Sequence, residues 1–141
     1  MLMAVLDASF IVKLVLREPR SEEALKAFKR IIASREPIRA PCIAIAEVLN
    51  AVWKHVTLIK DLPRDRVPDV LKCLASLWRV VNVHKHDELA EKALSIALDL
   101  SITVYDAYYI TLAHRYGEPL FTFDTRLAEK AREIGLEVVI P

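Results

Sequence analysis

Residues 105–141, YDAYYITLAHRYGEPLFTFDTRLAEKAREIGLEVVIP, alternate two helical stretches with two short apolar runs. Tyr105–Tyr116 reads as a helix that Gly117 closes, because glycine takes the left-handed conformation at a helix end without a Cβ penalty. Leu120–Thr122 is too short for a helix and reads as a strand. Thr125–Ile134 is a second helix, stopped by Gly135, and Glu137–Ile140 a last strand. Helices set between short apolar strands are what parallel neighbours require, since a parallel pair needs a long crossover to bring the chain back.

Working outward, the same alternation holds along the rest of the chain. Met1–Leu6 reads as a first strand and Ala8–Val15 as a helix. After Pro19, Glu22–Ala33 places Ala24, Leu25, Phe28, Ile31 and Ile32 on one helical stripe. Ile38–Ala40 is a brief strand and Ile43–Ile59 a long, mostly apolar helix. Lys60–Pro68 is the longest irregular stretch, punctuated by Pro63 and Pro68. Val67–Leu77 reads as a helix, Arg79–Val83 as a strand and Asp87–Leu100 as a helix with Leu89, Ala90, Ala93, Leu94 and Ala97 in phase. The expectation is a three-layer α/β fold, a parallel sheet covered on both faces. No linker, repeat or low-complexity tract interrupts it, so residues 1–141 are expected to form a single domain.

Composition agrees with a globular core: 54% of the 141 residues are hydrophobic and 28% charged, which excludes a disordered chain. The net charge of +1 does not announce a nucleic-acid partner, although an acidic site and a basic rim cancel in such a sum. Cys42 and Cys73 lack the companions of a zinc cage or a disulfide framework and are expected to be small buried residues. The apolar runs are broken by Asp7, Lys13 and Glu47 well short of the roughly 18 residues of a membrane span. The start of the chain lacks the basic region and cleavage site of a signal peptide, and the expected location is cytoplasmic. Glutamine is absent and asparagine occurs only at Asn50 and Asn82, a composition that suggests a thermophilic source.

Four carboxylates stand where this architecture puts ligands. In open α/β sheets these collect beyond the C-terminal ends of the strands. Asp7 follows the first strand and Asp124 lies just past Leu120–Thr122. Glu47 interrupts the apolar helix Ile43-Ala-Ile-Ala-Glu-Val-Leu-Asn-Ala-Val52, and Asp106 sits in Val104-Tyr-Asp-Ala-Tyr-Tyr-Ile110. Simpler roles exist for each. Asp7 and Asp124 precede helices and serve equally as N-caps, Asp106 follows Thr103 at capping-box spacing, and Glu47 has a surface-facing alternative. If the four converge, their repulsion calls for a cation, and oxygen-only ligands select Mg²⁺ or Mn²⁺ over zinc. One or two such ions are the equipment of phosphodiester hydrolysis. In that reading Asp7, Asp106 and Asp124 are metal ligands, and Glu47 ligates a second ion or orients the attacking water.

These residues resemble the motifs of the PIN-domain nucleases, and specifically the VapC toxins of toxin–antitoxin pairs. Val5-Leu-Asp-Ala-Ser9 is similar to the first motif, and Pro41–Ala51, with Glu47 and Asn50, to the second. Tyr105-Asp-Ala-Tyr-Tyr-Ile-Thr-Leu-Ala113 resembles the third and Leu120-Phe-Thr-Phe-Asp-Thr-Arg-Leu127 the fourth. The motifs run in family order over nearly the whole chain; Ile59–Leu77 is its least characteristic part. The resemblance implies a five-stranded parallel sheet and a Mg²⁺- or Mn²⁺-dependent endoribonuclease. It implies homodimers and a VapB-like antitoxin whose C-terminal segment covers the acidic pocket. The hydroxyls of Ser9 and Thr122 flank the acids, where they orient a carboxylate, contact phosphate, or make plain turn and cap bonds.

Other polar residues read more simply. His84-Lys-His86 is expected to be a solvated turn, and His114 a surface histidine favoured by a helix C-terminus. Lys13, Arg17, Arg20 and Arg126 border the acids and are candidates for phosphate contacts as well as for solvated faces. Trp53, Trp78 and the tyrosines are expected to be core or dimer contacts. A haloacid-dehalogenase phosphatase requires an acid where Ser9 stands, and a receiver domain requires acids before Asp7; both are disfavoured. A PIN nuclease that processes RNA without an antitoxin looks the same in sequence, and a neighbouring gene for a short DNA-binding protein would separate the two. A non-catalytic binding module does not account for the acid inside Ile43–Val52.

Overall fold

The computed structural model describes residues 3–141, so the first two residues of the strand expected at Met1–Leu6 lie outside the described residues. Five parallel strands, β1 (Ala4–Leu6), β2 (Ile38–Pro41), β3 (Asn82–His84), β4 (Leu120–Phe121) and β5 (Val138–Val139), line up in the order β3-β2-β1-β4-β5. The register sets Ala4 beside Ile38, Val5 beside Leu120, Ala40 beside Val83 and Leu120 beside Val138. From β1 the chain steps outward to β3, then returns to β4 and steps the other way. Order therefore reverses between β1 and β4, and this switch point is where an open α/β sheet leaves a crevice.

Seven α-helices make the crossovers: α1 (Ala8–Val15), α2 (Ser21–Ser34), α3 (Ile43–Lys54), α4 (Val67–Trp78), α5 (His86–Leu100), α6 (Val104–Tyr116) and α7 (Thr125–Glu133). α1 packs on α2, α3 and α4, while α6 lies on β1, β2 and β4 beneath α5. Ala4, Val5, Leu6 and Ala40 are closed off from both sides, joined in the core by Phe10, Ile11, Ile31, Val48, Ile110 and Leu112. Gly117 at φ +62° and Gly135 at φ +80° supply the left-handed turns that end α6 and follow α7. Among the described residues no helix is long and apolar enough to cross a membrane.

Several local expectations are corrected. The long helix at Ile43–Ile59 changes at His55 into a π turn, His55–Ile59, closed by Lys60 at φ +59°. The third strand begins at Asn82 rather than Arg79, because α4 runs on to Trp78 and the amides of Arg79 and Val80 still bond back to Ala75 and Leu77. Pro68 opens α4 and does not end a loop, in keeping with its fixed φ and missing donor in a first turn. Cys42 is only half-buried and Cys73 is exposed, its thiol donating to the Leu14 carbonyl. Of the two places expected for Trp53, core or dimer contact, the core is ruled out, because about half its surface is exposed (52%). His84 is no solvated turn: it ends β3 buried, bonded through Nδ1 to Glu88 (2.9 Å) and through Nε2 to Arg39 (3.3 Å).

Candidate active site

β1 delivers Asp7 to the crevice, and the cap role foreseen for it is real: its Oδ1 accepts from the Phe10 amide (2.9 Å) at the start of α1. It accepts more than a cap needs. The Ser9 hydroxyl donates to the same oxygen (2.7 Å), and the Thr122 hydroxyl, just past β4, donates to Oδ2 (2.6 Å). Burial pushes the Asp7 carboxyl from 3.8 up to about 6, against the pull of those three donors and with the charge of Asp124 adding to the rise. Ser9 also accepts from the Phe123 amide (2.9 Å), and Thr122 from the Asp124 amide (2.9 Å). Both hydroxyls thus lock the β1 and β4 ends together.

Glu47, Asp106 and Asp124 line a cleft of about 710 Å³ above Asp7, with Ser9, Asn50, Thr103, Tyr105 and Phe123 among its walls. Asp124 caps α7 by accepting from the Leu127 amide (3.1 Å), and Thr103 caps α6 by accepting from the Asp106 amide (3.2 Å). Burial raises the Asp106 carboxyl, the Asp124 charge raises it further, and Thr103 and Arg126 draw it back. Burial also raises Glu47, opposed by a bond from Tyr109 and reinforced by the charges of Asp106 and Asp124. The charge of Asp124 reaches Asp7, Glu47 and Asp106, and that of Asp106 reaches Glu47. A cap needs no such company, because one amide satisfies it.

Tyr109 is the participant that the motifs did not single out. Its hydroxyl, on a fully covered side chain of α6, donates to Glu47 Oε1 at 2.6 Å, and burial with the Glu47 charge holds its proton on. Its only signal in the sequence is Glu47 itself, an acid in an apolar helix that requires a donor from elsewhere. The half-buried Lys13 and Glu18 also line the cleft, as does Lys54. His114 is exposed near the far end of α6.

The donors suit a hard divalent cation by type, being carboxylate oxygens without sulfur or imidazole, and their mutual repulsion is what such a cation relieves. Among the described residues no three acidic, histidine or cysteine side chains are gathered into a ready-made metal cage.

A PIN-domain model matches residues 4–133. Ribonuclease VapC3 of Pyrobaculum aerophilum is 35% identical over 128 residues, which cover 89% of this chain and 92% of that protein. Ribonuclease VapC46 of Mycobacterium tuberculosis is 30% identical over 142 aligned positions, covering 96% and 95%. The crystal structure of PAE2754 from Pyrobaculum aerophilum superposes with a TM-score of 0.72 at 25% identity, over 98% of this chain and 91% of that one. The strand order, the acids at its switch point and a family match over most of the chain converge: the chain belongs to the PIN-domain family.

Proposed function

We propose that the chain is a Mg²⁺- or Mn²⁺-dependent endoribonuclease that hydrolyses RNA phosphodiesters as the toxin of a VapBC-type toxin–antitoxin pair. Two relatives named as VapC ribonucleases support the activity. The observation that carries it to this chain is the placing of Glu47, Asp106 and Asp124 on one cleft with Asp7 beneath them. Asp7, Asp106 and Asp124, with Glu47, are the residues to hold one or two ions. When bound, such an ion supplies positive charge to a phosphodiester and makes water more acidic.

The chain's own groups do the rest. Three donors fix the Asp7 carboxylate in one orientation. Tyr109 occupies Glu47 Oε1, which leaves Oε2 to ligate a second ion or to orient the attacking water. The roles of Ser9 and Thr122 in this reading are to hold Asp7 and, through their backbone neighbours, to shape the floor on which a phosphate rests. The exposed Leu49 and Trp53 of α3 and Leu94 and Leu98 of α5 support a homodimer, and the open cleft supports an antitoxin segment as its physiological occupant. The cytoplasm is the location that suits such a pair.

The test is cleavage of a structured RNA by purified protein with Mg²⁺, with Mn²⁺ and with EDTA, beside Asp106→Asn. Cleavage in either metal, loss in EDTA and loss in the folded variant are expected. Cleavage that persists in EDTA or in the variant removes the acids from the reaction.

A further inference from the structure

From the wall of the cleft, where Lys13 and Glu18 stand, a chain of four titratable groups leads away through His55 to Asp61. Lys13 on α1 reaches Glu18 Oε2 (3.1 Å), and Glu18 Oε1 meets His55 Nε2 (2.9 Å). His55 Nδ1 in turn meets Asp61 Oδ1 (2.7 Å). The chain links α1, the α1–α2 loop, the π turn after α3 and the loop beyond it. Each part is held in place. The Glu18 amide donates to Ser21, whose hydroxyl donates to the Leu16 carbonyl, and the amides of Asp61 and Leu62 both donate to the His55 carbonyl. A π turn is rare and recurs at functional sites. Here it aims a buried imidazole between two carboxylates.

An ionised carboxylate only accepts, so an imidazole that bonds one through each nitrogen donates from both and is the imidazolium. Glu18 is therefore shared between two cations. Lys13 stands at the cleft, 5.1 Å above the Phe123 ring, and shares its counter-ion Glu18 with His55. Without the proton on His55, Glu18 would belong to Lys13 alone and cancel it.

We propose that Lys13 is the cleft's contact for a substrate phosphate, and that His55, acting through Glu18, positions it and sets how much of its charge remains for RNA. The inference rests on the ribonuclease reading above. Lys13 is a binding residue, and His55, which touches no substrate, is a positioning residue. The groups bonded to His55 are Glu18 from the α1–α2 loop and Asp61 from the loop after the π turn, with Lys13 of α1 beyond Glu18. The bonds from Asp61 and Glu18, and their charges, lift the imidazole above its ordinary value despite its burial. As pH rises through that value the ring loses its proton, the charge of Glu18 falls to Lys13 alone and RNA affinity falls.

The experiment is steady-state cleavage of a random-sequence single-stranded RNA pool with Mn²⁺, varying salt and pH, by wild type, Lys13→Ala, Lys13→Arg and His55→Gln. Lys13→Ala is expected to raise KM about tenfold with kcat little changed. It should also make the dependence of log KM on log salt shallower by about 0.7. Lys13→Arg should restore both. Wild-type KM should rise with pH more steeply than that of His55→Gln; the ionisation of Asp7 occurs in both proteins, so their difference belongs to His55. An unchanged KM and salt dependence in Lys13→Ala overturn the phosphate contact. A pH profile of KM that is the same in wild type and His55→Gln overturns the positioning role. A wild-type protein that neither binds nor cleaves the pool withdraws the ribonuclease reading, and this inference with it, whereas active wild type beside an indifferent Lys13→Ala sinks the inference alone.

Discussion

Ionising Asp7 costs the folded protein free energy that the unfolded chain does not spend. Its carboxyl titrates near 6 in the fold against 3.8 when unperturbed, chiefly because it is buried. The folded state thus binds the proton more tightly than the unfolded one. The resulting stability is fully present below the unfolded value and is lost as pH rises through about 6, amounting to about 3 kcal/mol once both forms are ionised. Metal-free wild type should melt at progressively lower temperature as pH rises through about 6. Asp7→Asn should show a flatter profile and exceed wild type at alkaline pH, because its amide keeps acceptor and donor for the same neighbours without the charge. Thermal melts in EDTA across pH read both. A variant that fails to fold would leave Asp7 with a cap's role alone. The acids were legible in the sequence because each stands at a strand end or in an apolar helix. The Tyr109–Glu47 bond was not, since it joins residues 62 positions apart and tyrosines at neighbouring positions look alike without the packing. His84 misled for the same reason: Arg39, 45 positions away, makes a buried partner of what reads locally as a polar turn.

α6 carries Asp106 and Tyr109 into the site together, and its first turn depends on the Thr103 cap. Replacing Thr103 with Ala should lower unfolding free energy by about 1 kcal/mol, the usual worth of such a cap. Thr103→Ser should recover it, and denaturant unfolding of the three proteins measures both. No loss in the Ala variant would mean that packing of α5 on α6 alone fixes the helix start. Helices other than α3 were legible to within a residue or two because their apolar stripes and glycine stops are local. Strand ends were not, because a strand ends where its neighbour's backbone stops pairing. Leu120–Thr122 thus shortens to Leu120–Phe121, and Glu137–Ile140 to Val138–Val139. The turn at His55 was also hidden, since α3 and the residues after it share one apolar pattern and only the bonds to Glu18 and Asp61 mark the change.

For the molecule as a whole, the cleft's carboxylates set a balance between fold and metal. Four acids that raise or feel one another's charge weaken the metal-free state, and any cation that binds only the native form stabilises it by mass action. Mn²⁺ should therefore raise the melting temperature of wild type in proportion to the logarithm of its concentration above its dissociation constant. The shift should vanish when Asp7, Glu47, Asp106 and Asp124 are replaced together by their amides. Calorimetric melts with and without Mn²⁺ decide it, and a shift that persists in the fourfold variant places the ion elsewhere. The fold class was readable from alternation alone, whereas strand order was not: nothing local states that β4 returns to lie beside β1.

That return has a consequence for a chain made from one end. β1 is the centre of the sheet and is translated first, yet one of its two neighbours is β4, and Asp7 meets Thr122 across 115 positions. While the ribosome is still adding the middle of the chain, Asp7 is an ordinary solvated acid, and no crevice exists for RNA to enter. The cleft can be assembled only after β4 and Asp124 have been translated. A nascent chain that ends before β4 therefore lacks Thr122 and Asp124, and with them one side of the cleft.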